Sequence, residues 1–217
     1  MDRKSSTLAA AALAALLAAG QAAAQNSGWY MGGGPGATSA KFERADFTGL
    51  AAGTYSVDDG DVGLRVFGGY RVAPNWAVEF GVAALGDYRH RFVGGTGTAV
   101  YRYEVRAATV AMAAQLPLAG GVALNGRLGA AFTATRLRNP STTGTITTNP
   151  PSCSGVFFFD DCTSTKTNFF WGLGAQFDMN PRWGIRLDYD NYGKVGEEFV
   201  TGRAKIESWS ANVLFRF

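Results

Sequence analysis

The sequence predicts an all-β chain, an eight-stranded antiparallel transmembrane β-barrel preceded by a cleaved signal peptide, and three observations carry that prediction. After residue 24, runs of roughly 10 to 14 residues alternate large apolar side chains with small or polar ones, the period of a strand. The connections between runs are by turns tight and long. Within each run the bulky residues take one face while the small and charged residues take the other. A soluble barrel fills its inside with large apolar side chains, so this pattern is inside out and suits a wall that faces lipid.

The first element is MDRKSSTLAAAALAALLAAGQAAAQ. Arg3 and Lys4 precede an apolar run from Leu8 to Ala19 and the small pair Ala22 and Ala24. This is the layout of a secretory signal peptide. The run is shorter than the roughly 20 apolar residues a membrane helix needs. Residues 1–24 are therefore expected to be removed, leaving 25–217 as one barrel domain outside the cytoplasm. The formal net charge is +3, with both signs scattered along the chain. No basic patch marks a nucleic-acid partner.

The strands follow in order: Trp29 to Ala40, Val62 to Val72, Trp76 to Tyr88, Tyr103 to Leu116, Val122 to Thr135, Thr167 to Met179, Trp183 to Gly193 and Lys205 to Phe217. WAVEFGVAAL is the clearest, with Trp76, Val78, Phe80 and Val82 on one face and Ala77, Glu79, Gly81 and Ala83 on the other. WGIRLDYDNY repeats it, setting Trp183, Ile185, Leu187 and Tyr189 against Gly184, Arg186, Asp188 and Asp190. Period two over about 10 residues is what a tilted membrane strand requires. An even number of strands lets both termini lie on one side. Three connections are tight, VAPNW, LPLAGGV and MNPRW, each pairing Pro with Asn or Gly as turn chemistry demands. Those near 41–61, 89–102, 136–166 and 194–204 are long and polar or Gly-rich. Short turns on one side and long loops on the other are the outer-membrane layout, with the long loops outside the cell and the termini in the periplasm. Trp76 and Trp183 stand where strands re-enter the membrane, the place of an aromatic girdle.

The opening GWYMGGGPG, the hairpin FGGYRVAPNWAVE, the strand RLDY at Arg186 to Tyr189 and the terminal SANVLFRF make the chain resemble the OmpA-like and OmpX-like eight-stranded outer-membrane barrel domains. The resemblance spans residues 25–217. It implies the outer membrane of a Gram-negative cell, contact with its lipids and lipopolysaccharide, and assembly machinery that reads the C-terminal aromatic, here Phe217. It covers only the barrel, and no peptidoglycan-binding domain of the OmpA kind is expected after it. Pro35 falls inside the first strand, where a missing N–H predicts a bulge or a ladder one bond short.

With Glu79 pointing inward, the register sends Arg65, Arg127, Arg186, Asp188 and Asp190 into the lumen beside Asn125 and Gln176. Three cations then meet three anions in an interior that eight strands leave only wide enough for side chains. They are expected to pair and close it; a gated ion path is the functional alternative. Catalysis finds little support. His90, the sole histidine, has Asp87 near but no adjacent Ser or Thr to complete a hydrolase triad, and between Arg89 and Arg91 it suits anionic lipopolysaccharide or solvent. No His, Cys, Asp and Glu cluster has metal spacing; VDDGD at 57–61 reads as a solvated loop end, with a loosely held calcium ion on its three carboxylates as the alternative, and no cofactor is expected.

The segment PSCSGVFFFDDC falls in the longest loop and holds both cysteines, Cys153 and Cys162. In an oxidising compartment they are expected to form a disulfide. Phe157, Phe158 and Phe159 between them either present a contact surface to an extracellular ligand or fold over the barrel mouth. The expected role is structural or surface interaction through the outer loops, with a narrow pore as the alternative and a lipid-directed enzyme as the remote one.

Overall fold

A computed structural model of the chain describes residues 28–42, 53–94, 97–144, 161–197 and 201–217. Nine strand segments form the wall: β1 (Trp29–Phe42), β2 (Gly53–Asp58), β3 (Gly60–Ala73), β4 (Trp76–Gly94), β5 (Gly97–Pro117), β6 (Val122–Gly144), β7 (Asp161–Asp178), β8 (Trp183–Val195) and β9 (Ala204–Arg216). β2 and β3 both pair with β4 and are parted only by Asp59, so together they are one barrel strand. All pairings are antiparallel, and β1 pairs with both β3 and β9. The barrel is thus closed with eight strands, as the alternation predicts. Closure removes the sheet edge that would otherwise leave N–H and C=O groups unpaired in lipid.

Phe217 N donates to Trp29 O at 3.2 Å, so the start of β1 and the end of β9 lie together. The tight turns share this end. Asn180 Oδ1 accepts from the backbone N–H groups of Arg182 and Trp183 at 2.9 and 2.8 Å, closing the β7–β8 turn. Gly120 and Gly121 take φ of 72° and 78° in the β5–β6 turn, a region L side chains avoid.

Pro35 stays in register opposite Leu64. On the β9 side the pairing skips Gly34 and Pro35 and resumes in phase at Gly36 opposite Ser210. The ladder is therefore short of pairing there but not bulged. The bulges lie elsewhere, and the one between Ala84 and Gly86 shifts the phase of β4. Leu85 and Tyr88 both end up buried, whereas strict alternation would have turned Tyr88 to lipid. Gly86, at φ 112°, permits that bulge.

The strands at the opposite end correct the expected loops. β4, β5 and β6 run 19, 21 and 23 residues, against 13 each for β8 and β9. Gly94 pairs with Gly97, and Gly97 with Gly144, so most of 89–102 is hairpin rather than loop. β7 begins at Asp161, and Cys162 pairs by its backbone with Leu137. Beyond the lipid layer an antiparallel ladder continues without an apolar outer face, so the alternation that reveals a strand disappears. Ser- and Thr-rich stretches such as 163–165 then read as loop. Cys153 and Phe157, Phe158 and Phe159 lie outside the described residues, as do residues 1–24, where a signal peptide is expected.

Candidate functional site in the barrel lumen

The inward face of the wall is built in tiers. Near the turn end Tyr30, Phe67, Ala77, Ala113 and Leu214 form a small apolar cluster. Above it lie the six predicted charges, all buried, from Asp188 and Asp190 at 0% exposure to Arg65 at 5%. Alternation along β3, β4, β6 and β8 places them there, one side chain inward every second residue.

The charges do meet. Arg186 Nη1 lies 2.7 Å from Glu79 Oε1 and its Nε 2.9 Å from Asp188 Oδ2. Arg65 Nη1 reaches Asp190 at 2.8 Å and Asp188 at 3.2 Å. Arg127 Nη2 sits 2.9 Å from Asp188 and 3.0 Å from Asp190. Three guanidinium groups thus neutralise three carboxylates across the barrel axis, because planar forks can each serve two acids. Three residues that the sequence reading did not single out complete the layer. Tyr30 OH donates to Glu79 at 2.8 Å, and Asn212 Nδ2 donates to Asp188 at 3.0 Å. The Arg186 guanidinium stands 4.0 Å from the Phe67 ring centre, a cation–π contact. Their signal was present in the same period: Tyr30 shares a face with Gly32, and Phe67 with Arg65.

Glycines make the room. A Cβ added at Gly172 would stand 3.0 Å from Arg127 Nη2 and crowd Asp190, and one at Gly174 would crowd Asp188. The small residues of the inward face are the space that the charged layer fills. Asn125 and Gln176 are also buried on that face, and Gln176 donates to Asp178 at 2.8 Å.

A cavity of about 20 Å³ lies on the turn side of the layer against Glu79 and Arg186, and one of about 10 Å³ on the far side against Arg65 and Tyr192. A single water needs roughly 10–15 Å³, so neither is a channel. Farther toward the hairpins, Leu85, Tyr88, Tyr103, Val105, Phe170, Tyr192, Val195 and Ile206 pack as an apolar core. Tyr88 OH donates to Leu85 O at 2.8 Å and Tyr103 OH to Gly202 O at 3.1 Å, so their polar tips are satisfied. This aromatic tier closes the lumen a second time; the β4 bulge turns Tyr88 into it, while Tyr103, Phe170 and Tyr192 lie in phase with the inward face and were not singled out in the sequence reading.

Outside, Trp76 and Trp183 are 49% and 44% exposed at the turn end. Trp183 packs on Phe215 with ring centres 4.8 Å apart, and Phe215 meets Phe217 at 5.1 Å. Toward the other end Trp171, Tyr189 and Trp209 stack at 5.4 and 5.0 Å. Val82, Phe80, Leu128, Phe132, Leu173 and Val213, exposed at 51% or more, occupy the wall between. A closed barrel with a buried ionic layer, an apolar belt and aromatic rims defines a transmembrane β-barrel.

The chain matches the family model described as outer membrane protein beta-barrel domain over residues 8–217. It belongs to that family, and is a protein of the Gram-negative outer membrane. The solved structure of neisserial surface protein A (NspA) is similar at a TM-score of 0.52 and 12% identity, covering 89% of this chain and 100% of that one. Ail, the attachment invasion locus protein of Yersinia pestis, in complex with the heparin analogue sucrose octasulfate, is similar at 0.50 and 16%, with coverage of 89% and 100%. OprG of Pseudomonas aeruginosa is similar at 0.45 and 14%, covering 87% and 96%. No protein with a curated description matches the chain.

Of the remaining predicted positions, His90 pairs by its backbone with Tyr101 and Val57; its side chain is outside the described residues. Asp61 of the acidic run is a structural acceptor, taking Val62 N–H at 2.8 Å and Asp87 N–H at 2.5 Å to hold the β4 bulge. Among the described residues no group of three His, Cys, Asp or Glu could hold a metal ion.

Proposed function

We propose that this protein is a closed surface barrel whose work is done by the hairpins rising from the end opposite its termini, not by conduction or catalysis. The observation that carries this reading is the doubly sealed lumen, a neutral ionic layer beneath an aromatic tier. The extended β2, β4, β5 and β6 ladders add to it, since the chain invests its longest strands beyond the apolar belt. In this reading residues 1–24 are a signal peptide, the hairpins face outward, and the termini face the periplasm. Phe217, beside the aromatic rim, is the assembly signal. Lipopolysaccharide is the nearest partner of the wall, with an extracellular ligand at the hairpin tips and a Cys153–Cys162 disulfide stapling the third hairpin.

Deleting residues 140–164 tests the surface role. Adhesion or serum survival should fall while membrane integrity is kept. Loss of integrity alone, with adhesion and survival unchanged, would contradict it.

A further inference from the structure

The inward face at the turn end carries polar side chains that the ionic layer does not use. The register sets Gln115 of β5 directly opposite Asn125 of β6, and Arg71 reaches in from β3 to donate to Gln115 Oε1 at 3.0 Å. All three line the cavity of about 20 Å³ on the turn side of Glu79 and Arg186, whose rim is the β3–β4 turn at Pro74 and Asn75. Two of them keep donors to give. Asn125 is 8% exposed, and its Nδ2 is buried with no hydrogen-bond partner, a costly state for an amide donor. Arg71 is opposite Ala77 on β4 and bonds Gly28 O through its backbone, so no acid stands directly across from it. The acids on this side of the layer are taken, Glu79 by Arg186 and Asp178 by Arg216. The terminal carboxylate of Phe217 belongs to the end of β9, one strand farther off across β1.

We infer that this turn-end mouth binds a carboxylate, with one oxygen on Asn125 Nδ2 inside the cavity and the other on Arg71 at the rim. Gln115 holds the two donors within reach of one group, since it bonds Arg71 and its Cβ stands about 4.5–5.5 Å from that of its cross-strand neighbour Asn125. Space limits what goes deep. A single water needs roughly 10–15 Å³, so the cavity takes one oxygen and leaves the rest of the ligand at the open rim. Charge selects the ligand. The lining sets Arg71 and Arg186 against Glu79, two cations to one anion. A water would answer Asn125 alone, whereas a carboxylate answers both donors and takes a charge-assisted bond from the guanidinium. Its source is the end of a peptide chain or a free small acid. In the reading proposed above this mouth faces the periplasm, but binding to the isolated barrel does not depend on orientation.

The test uses the refolded full barrel in neutral micelles, titrated with acetate, with N-acetyl-dialanine, with the same peptide amidated at its C-terminus, and with chloride. Binding is read from the side-chain amide resonances of Gln115 and Gln176, which line the same cavity. Acetate and the free-acid peptide should shift them saturably, and the amidated peptide should not. A peptide that binds tighter than acetate assigns the site to chain ends; acetate at least as tight assigns it to a free small acid. Arg71→Gln, at the rim, should weaken the binding about tenfold, as loss of one hydrogen bond to a charged group implies. Asn125→Asp, which puts an acid where the donor stood, should abolish it, with the heat-modified gel shift of the folded barrel unchanged in both variants. No saturable shift with either carboxylate, equal binding of the amidated peptide, chloride binding as well as acetate (an adventitious ion only), or an Arg71→Gln barrel that binds like wild type would each overturn the inference. The proposed surface role is read separately by the deletion of residues 140–164, which leaves this mouth intact.

Discussion

Replacing Arg186 with Met removes a cation from the most enclosed part of the molecule while keeping most of the side-chain volume. Arg186 holds both oxygens of Glu79, at 2.7 and 3.3 Å, and one of Asp188, at 2.9 Å. Without it the layer has two cations for three anions. Glu79 keeps the Tyr30 hydroxyl at 2.8 Å and two guanidinium groups, of Arg65 and Arg127, at 3.8 Å. Removing one partner of a buried pair costs about 3–5 kcal/mol, and the two remaining arginines put this case near the lower figure. Adding Glu79→Gln restores neutrality, since Arg65 and Arg127 then face only Asp188 and Asp190. The double variant should recover about 2 kcal/mol of the loss, a coupling of the size seen within one charge network. The assay is urea unfolding of the barrel refolded into lipid vesicles, followed by tryptophan fluorescence and extrapolated to water. A single variant within about 0.5 kcal/mol of wild type, the range of surface substitutions, or strictly additive losses would refute the layer as a coupled unit.

Other perturbations test other parts of the wall. Gly172→Ala pushes a methyl toward Arg127 and Asp190 and should cost about 1–3 kcal/mol of overpacking in the same unfolding assay. Trp183→Ala should destabilise the vesicle-bound barrel by about 1 kcal/mol more than Trp76→Ala, because Trp183 also packs on Phe215 at 4.8 Å. The non-reduced, unfolded protein should be silent to a thiol probe, and reduction should lower stability by roughly 2–3 kcal/mol; a reacting thiol before reduction would refute the staple. The Glu207 carboxyl, past Trp209 at the hairpin end, is held below the usual carboxylate range by its hydrogen bond with Lys205 and by Lys41. A depressed carboxylate contributes stability that is full above its unfolded value of about 4.3 and is lost as the pH falls through the lower folded value. Glu207→Gln should remove that part of the acid dependence, measured as unfolding midpoint against pH.

The parts of the fold that face lipid were legible because lipid imposes a constraint at every second residue. Strand number, closure, turn sites and the inward set Arg65, Glu79, Arg127, Arg186, Asp188 and Asp190 all follow from that period, and so does the outward placing of Trp76 and Trp183. Where the constraint ends, so does the signal. The outer halves of β4, β5, β6 and β7 run through polar and glycine-rich sequence that a ladder tolerates and that alternation cannot detect. Bulges hide the rest. One inserted residue before Gly86 turns Tyr88 from the lipid face into the lumen, and nothing in the local composition announces it. The partners Tyr30 and Asn212 were on the correct face, but their bonds to Glu79 and Asp188 depend on barrel curvature, which brings together residues 49 and 24 positions apart.

The sealed lumen is tested most directly by planar-bilayer recording of the refolded full-length barrel. The stacked ionic and aromatic tiers predict a flat trace at every applied voltage, for wild type and for Arg186→Ala alike, since Leu85, Tyr88, Tyr103 and Phe170 remain in place when the ionic layer is breached. Reproducible unitary current steps from wild-type protein would contradict a closed barrel.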